Sequence, residues 1–91
     1  MNITNLKELT RDKDLSIRKL DESYYFVINE DTYEANEIGA TIVNAAGRDL
    51  SIDDLCIRIS DKYVFDNFDQ IKSDIVNYIE FLLSEGILIN E

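Results

Sequence analysis

The fold of this chain is decided by residues 24–47, YYFVINEDTYEANEIGATIVNAAG. Residues 24–28 are aromatic and β-branched, as is typical of strands, and an acidic turn at residues 29–31 leads into a shorter strand at residues 32–35. Asn36 is a favourable helix N-cap, so this shorter strand passes into a helix without a loop. A short strand beside a helix can leave one edge of its sheet unpaired, and another chain can add a strand at such an edge.

A further strand is predicted upstream of this segment. Leu15 and Ile17, followed by Lys19, alternate with polar residues, which favours a strand of period two. With residues 24–28 as the central strand, the three strands are predicted to form an antiparallel meander. For residues 1–13, which are mixed and polar, we expect either one short helical turn or a loose N-terminal arm.

Three helices are predicted after the strands, each with its own start signal. The first begins after Asn36 and ends at Gly47, since glycine commonly terminates helices. The second begins at Ser51, with Asp54 three residues on in an arrangement similar to a capping box. The predicted apolar faces are Ile38, Ile42, Ala45 and Ala46 in the first helix, and Ile52, Leu55, Cys56, Ile59 and Tyr63 in the second.

The third helix carries more apolar surface than one core face requires. It is predicted to start near Asp66 or Asn67 and to end before Gly86, and the apolar residues 87–89 then pack on the core or add a short strand. Its predicted core stripe is Phe68, Ile71, Ile75, Tyr78 and Leu82. Val76, Ile79 and Leu83 on one side and Phe81 on the other widen the apolar arc to about 220°. Part of this surface is either covered by one end of the chain or open to a ligand.

The composition is that of one small domain with a strong negative charge. Nine basic and nineteen acidic residues give the 91-residue chain a formal net charge of −10. This field repels phosphate backbones and anionic membranes, so we expect neither nucleic acid nor a membrane as a partner. The start MNITNLKELTRD lacks the apolar segment of a signal peptide, and no window approaches the roughly 18 apolar residues of a membrane span. We therefore expect a cytoplasmic protein.

Catalytic and metal chemistry is not indicated. The chain has no histidine and a single cysteine, Cys56, so histidine catalysis and a structural zinc site are excluded. The three glycines lack a phosphate-binding spacing, and the carboxylates lack the pattern of a calcium-binding loop. We expect no catalytic residue, no metal and no cofactor, and hence a protein that is not an enzyme.

A strand-rich start followed by three helices also fits a winged-helix DNA-binding protein. A recognition helix needs cationic and amide side chains that face bases and phosphates, yet the third helix offers one cation, Lys72, against Asp69, Asp74, Glu80 and Glu85. The alternative function is therefore a winged-helix transcriptional regulator or an acidic anti-regulator of a nucleic-acid-binding protein. The open edge also permits self-association, so the chain is expected to be a monomer or an edge-mediated dimer.

Three segments together resemble the PqqD-like proteins, also called precursor-peptide recognition elements of RiPP biosynthesis. They are YEANEIGATIVNAAG at Tyr33–Gly47, SIDDL at Ser51–Leu55 and DIVNYIEFLLSEG at Asp74–Gly86. The resemblance covers nearly the whole chain, from about Leu15 to Ile89, and is carried by the order and spacing of these segments. The chain departs from the family where Ala35 replaces a larger aliphatic residue and where Gly39 and Ala40 give the first helix a small side.

The resemblance implies a single PqqD-like domain over residues 1–91, with a three-stranded sheet packed on three helices. It implies that the leader segment of a ribosomally made precursor peptide adds as a strand to the edge of residues 32–35, against the helix at residues 68–85. The bound peptide would then be presented to a modifying enzyme, such as a radical SAM enzyme, a cyclase or a leader protease.

The candidate peptide-binding residues lie on the third strand and the third helix. Tyr33 and Ala35 share one face of the strand, and Thr32 and Glu34 share the other. On the helix, Asp74 and Tyr78 mark the favoured edge of the groove, and Val76, Ile79 and Leu83 mark the alternative edge. The full predicted set is Asp31, Thr32, Tyr33, Glu34, Ala35, Ile71, Asp74, Ile75, Tyr78 and Phe81.

Overall fold

A three-stranded sheet precedes the three α-helices of this chain, as predicted. The computed structural model of the protein describes residues 3–62 and 67–90. Its strands and α-helices are β1 Leu9–Arg11, β2 Ser16–Leu20, β3 Ser23–Ile28, β4 Asp31–Ala35, α1 Glu37–Ala45, α2 Ile52–Lys62, α3 Phe68–Ser84 and β5 Leu88–Asn90. The predicted α+β, winged-helix-like order of a three-stranded antiparallel sheet and three helices is confirmed. Tyr63, predicted on the second helix, and Asp66, one predicted start of the third, lie outside the described residues.

The main sheet has the strand order β2-β3-β4, with the predicted central strand in the middle. Both hairpins close with two-residue turns. The first residue of each turn has a positive φ, 56° at Asp21 and 54° at Asn29. Asp and Asn visit this left-handed region because their short polar side chains can hydrogen-bond locally. The second turn is one residue shorter than predicted, since Asp31 pairs with Ile28 and so belongs to β4.

One face of this sheet packs on the core. Phe26 at the centre of β3 is fully buried and lies opposite Ile17 of β2 and Tyr33 of β4. Thr32 and Glu34, on the other face of β4, are exposed. The two faces of β4 therefore differ as the period of two predicts.

Side-chain caps start the three α-helices at the predicted residues. In each case an Asn or Ser oxygen accepts the backbone N–H three residues on, at 2.8 Å from Asn36, 3.0 Å from Ser51 and 2.7 Å from Asn67. Gly47 and Gly86, just beyond α1 and α3, have φ of 87° and 75°, a conformation that glycine adopts without steric cost. Local sequence signals thus define all three helices.

The N-terminal segment belongs to the core. Ile3, Leu6 and Leu9 are buried, and a short 3-10 turn at Leu6–Glu8 leads into β1. β1 pairs antiparallel with β5, and the two ends of the chain form a second, two-stranded sheet. Of the two alternatives for residues 1–13, the loose arm is not what the described part of this segment shows, because burial of three apolar side chains holds it in place. The alternative of a helical turn in this segment is correct, and so is the alternative of a short strand after the third helix.

The buried stripe of α3 is rotated relative to the prediction. Ile71, Ile75, Ile79 and Leu82 are buried, whereas Phe68, predicted in the core, is 40% exposed. α3 contacts both α2 and β5, so the second sheet covers a side of the helix that helical periodicity alone left undecided. Tyr78 is half-buried at the margin of this stripe.

α1 and α3 approach each other closely where Gly39 faces Tyr78. A Cβ atom on residue 39 would lie 2.9 Å from the Cζ atom of Tyr78, which is well inside ordinary contact distance. The absence of a side chain at Gly39 therefore lets the tyrosine ring lie against α1.

We expect the substitution Leu6→Ala to lower the free energy of unfolding by about 2–5 kcal/mol, because it leaves a cavity in the place of a fully buried leucine side chain. Urea denaturation measures this loss. Lys7→Ala, on the exposed side of the same turn, is the matched control and should change stability by less than about 0.5 kcal/mol. Equal small effects of the two substitutions would mean that the segment does not pack as described.

We expect Gly39→Ala to be neutral or destabilising in the native chain, because overpacking against Tyr78 costs about 1–3 kcal/mol and the gain in helix propensity is only about 0.5–1 kcal/mol. In a Tyr78→Ala background the same substitution should stabilise by about 0.5–1 kcal/mol. A double-mutant cycle by thermal or urea unfolding measures the difference. Identical effects of Gly39→Ala in both backgrounds would contradict the close contact.

Candidate peptide-binding site

One edge of β4 is free in the described part of the chain, where β3 is the only strand that pairs with it. In an antiparallel hairpin the residue pairs alternate between those that exchange hydrogen bonds and those that do not. Asp31 and Ile28 flank the two-residue turn, and this first pair exchanges hydrogen bonds between the strands. By alternation, Thr32 and Glu34 belong to pairs that do not. Thr32 and Glu34 therefore direct their backbone N–H and C=O groups away from β3. Those groups are what an added strand would pair with.

A row of three aromatic rings joins β4 to α3. The Tyr33 ring packs edge-on against Phe81, with centroids 6.3 Å apart and an interplanar angle of 80°. The Phe81 and Tyr78 centroids are 5.9 Å apart. The Tyr33 hydroxyl also donates a hydrogen bond to Oε2 of Glu85 at 3.1 Å. These contacts form an aromatic floor between the free edge and α3, and Phe81 remains 41% exposed on it.

Both tyrosines of this row keep neutral hydroxyl groups. Loss of hydration raises the pKa of Tyr33, and the hydrogen bond from its hydroxyl to Glu85 and the negative charges of Glu85 and Asp31 raise it further. Burial raises the pKa of Tyr78 as well. Their hydroxyls therefore remain hydrogen-bond donors throughout the physiological pH range.

A pocket opens where β4 ends and α1 begins. Its volume is about 190 Å³, and we call it the three-helix pocket because α1, α2 and α3 all contribute to its wall. The residues that line it are Asn36, Ile38, Ile42, Ile59, Ile71, Asp74, Ile75 and Tyr78. The wall is mostly aliphatic, and its residues with polar groups are Asn36, Asp74 and Tyr78. Gln70 Nε2 donates a hydrogen bond to Oδ1 of Asp74 at 2.9 Å.

The predicted site residues come together in space. Residues 31–35 form β4, Phe81 lies beside Tyr33 of β4, and the other four helical residues, Ile71, Asp74, Ile75 and Tyr78, line the three-helix pocket. Ile71 and Ile75 do so from buried positions.

The alternative edge of α3 points elsewhere. Ile79 is fully buried, and Val76 lines a different cavity, of about 460 Å³, together with the N-terminal segment and the start of α2. The edge marked by Asp74, Tyr78 and Phe81 is the one that neighbours β4 and the start of α1.

Sequence reasoning missed part of the site. Asn36, Ile38, Ile42 and Ile59 line the three-helix pocket, and Glu85 accepts the hydrogen bond from Tyr33. Glu85 lies one helical turn after Phe81, so the helical period could have placed it on the same edge. The pocket-lining residues of α1 and α2 carried no local signal, because they appear in sequence only as ordinary core positions.

Cys56 is the one cysteine of the chain, and its side chain is buried in the core. Burial raises the pKa of the Cys56 thiol, which disfavours the nucleophilic thiolate. Among residues 3–62 and 67–90, no group of three or more His, Cys, Asp or Glu side chains is arranged to hold a metal ion. No helix in these ranges is both long and apolar enough to cross a bilayer.

Comparison with known proteins identifies no matching family model, no matching curated protein and no matching solved structure. The function is therefore inferred from the geometry of the site.

Proposed function

We propose that this chain is a non-catalytic, cytoplasmic protein of PqqD-like type that captures the leader segment of a ribosomally made precursor peptide. The leader adds as a strand to the free edge of β4, lies over the aromatic floor beside α3, and is presented to a modifying enzyme or a leader protease. The observation that carries this proposal is the position of the free edge of β4 beside both the Tyr33–Phe81 contact and the three-helix pocket.

The two parts of the site supply different contributions to binding. Main-chain hydrogen bonds to Thr32 and Glu34 give affinity and set the register, and they require nothing of the peptide sequence. Successive side chains of an added strand point to opposite faces, so every second one would face the aromatic floor and the helices. Those side chains give the specificity.

The charge distribution does not favour the nucleic-acid alternative. Lys72, the one cation of α3, lies with its Nζ atom 2.8 Å from Oδ1 of Asp53 on α2, and the hydrogen bond to this carboxylate raises the pKa of Lys72. A helix whose cation is engaged by a neighbouring carboxylate lacks the phosphate contacts on which DNA binding depends.

Strand addition can be tested by placing a proline on the free edge. Thr32→Pro removes an outward N–H from β4 and leaves the ladder to β3 intact, because proline is tolerated where the N–H of an edge strand faces solvent. Lys19→Pro is the matched control. Leu20 and Ser23 flank the turn of the β2–β3 hairpin, so by the same alternation the N–H of Lys19 points away from β3, to the outer edge of β2.

Short linear peptides are selected from a display library on the native chain, and their affinities for both proline variants are measured by fluorescence anisotropy. We expect Thr32→Pro to weaken binding by tenfold or more and Lys19→Pro to leave it unchanged, with thermal unfolding confirming that both variants fold. Amide chemical shifts of residues 32–35 should move on titration. Selection of no peptide, equal affinities for the two variants, or shifts confined to α2 would overturn the proposal.

A further inference from the structure

The three-helix pocket lies where a strand added to β4 would reach it. β4 ends at Ala35, and Asn36 both caps α1 and lines the pocket. A peptide that continues past Ala35 therefore passes over the mouth of the pocket. Because side chains alternate along a strand, one side chain of such a peptide can enter while its two neighbours point away.

The pocket is suited to one large apolar side chain. Its volume is about 190 Å³, and a cavity of about 150 Å³ is known to hold benzene. Five isoleucines supply most of the wall. The Asn36 oxygen is already occupied by the backbone N–H of Gly39 at 2.8 Å, so the polar group at the strand end is satisfied. A leucine, isoleucine, methionine or phenylalanine side chain is of a size to fill this space and to contact its aliphatic wall.

The surroundings of the cleft are acidic on both sides. Asp31 and Glu34 are exposed on β4, and Asp74 and Glu85 are exposed on the α3 side. β4 carries no cation, and the cation of α3 is held by Asp53 on α2, as described above. Glu37, at the start of α1, forms an ion pair with Lys62 at 3.0 Å, which adds no net charge. The field over the cleft therefore attracts a basic peptide and repels an acidic one.

We infer, on the basis of the proposed function, that the peptide bound at β4 is basic and inserts one large apolar side chain into the three-helix pocket, with lysine or arginine residues close to this anchor. Glu34 lies on the outward face of β4, where it would face the cross-strand neighbour of an added strand. Asp74 lies at the pocket, on the same side as the anchor, and so within reach of a cation two residues from the anchor. The apolar anchor fixes the register, and the cations select the partner.

The test uses the selected peptides whose binding is weakened by Thr32→Pro, since these are the ones that use the β4 edge. We expect their sequences to be enriched in Lys and Arg over Asp and Glu and to share one large apolar position. Replacing that residue of a synthetic peptide by alanine should lower its affinity at least tenfold, which corresponds to burial of one large apolar side chain. Affinity should also fall as salt concentration rises.

Charge-neutralising variants of the protein test the acidic rim. The double variant Glu34→Gln/Asp74→Asn should weaken the binding of a basic peptide by about three- to tenfold, as expected for the loss of two exposed opposite-charge pairs. Glu80→Gln is the matched control: it removes one charge from the same helix at about 120° around the axis from Asp74 and should leave the affinity unchanged.

The possible outcomes separate this inference from the proposed function. Peptides that depend on the β4 edge but are acidic, lack a common apolar position, or bind the double variant as tightly as the native chain would overturn the inference and leave strand addition standing. If no selected peptide is weakened by Thr32→Pro, both proposals fall.

Discussion

The site depends on the junction at Asn36, where a strand becomes a helix without a loop. The Asn36 side chain accepts the N–H of Gly39 at 2.8 Å, so β4 must stop and α1 must begin at this point. The same cap places Gly39 against Tyr78, which fixes the distance between α1 and α3. From this constraint follow the position of the three-helix pocket and the end of the free strand edge beside it.

Two kinds of binding surface meet at this junction. Under the proposed function, the edge of β4 offers backbone groups that can pair with any extended peptide, and the pocket and the acidic side chains are the parts that would distinguish one peptide from another. The aromatic row from Tyr33 to Tyr78 joins these surfaces. Rings of this kind supply contact area while losing little conformational entropy on binding, because each has only two side-chain torsions. A small domain can in this way combine general affinity with selectivity.

The sequence predicted the elements whose signals are local. The meander follows from strand propensity and from Asp or Asn at the turns, and each helix start follows from a cap that acts over three residues. The pairing of β1 with β5 was not predicted. A strand at residues 87–89 was one of two alternatives, and no strand was predicted among residues 1–13. Leu9 and Asn90 are partners from opposite ends of the chain, and short segments of mixed composition do not encode such a partner locally.

The sequence by itself determined the order of the elements, the caps, the two faces of β4, the negative charge and the absence of histidine chemistry, since these depend on residue type and on spacings of two to four residues. Only the tertiary structure decided which side of α3 is buried. The helical period left an apolar arc of about 220°. Within this arc Ile79 is fully buried and Phe68 is 40% exposed, and α3 packs against both α2 and β5. The three-helix pocket was likewise a tertiary outcome, because its walls come from three helices, of which α1 and α3 meet at the contact of Gly39 with Tyr78.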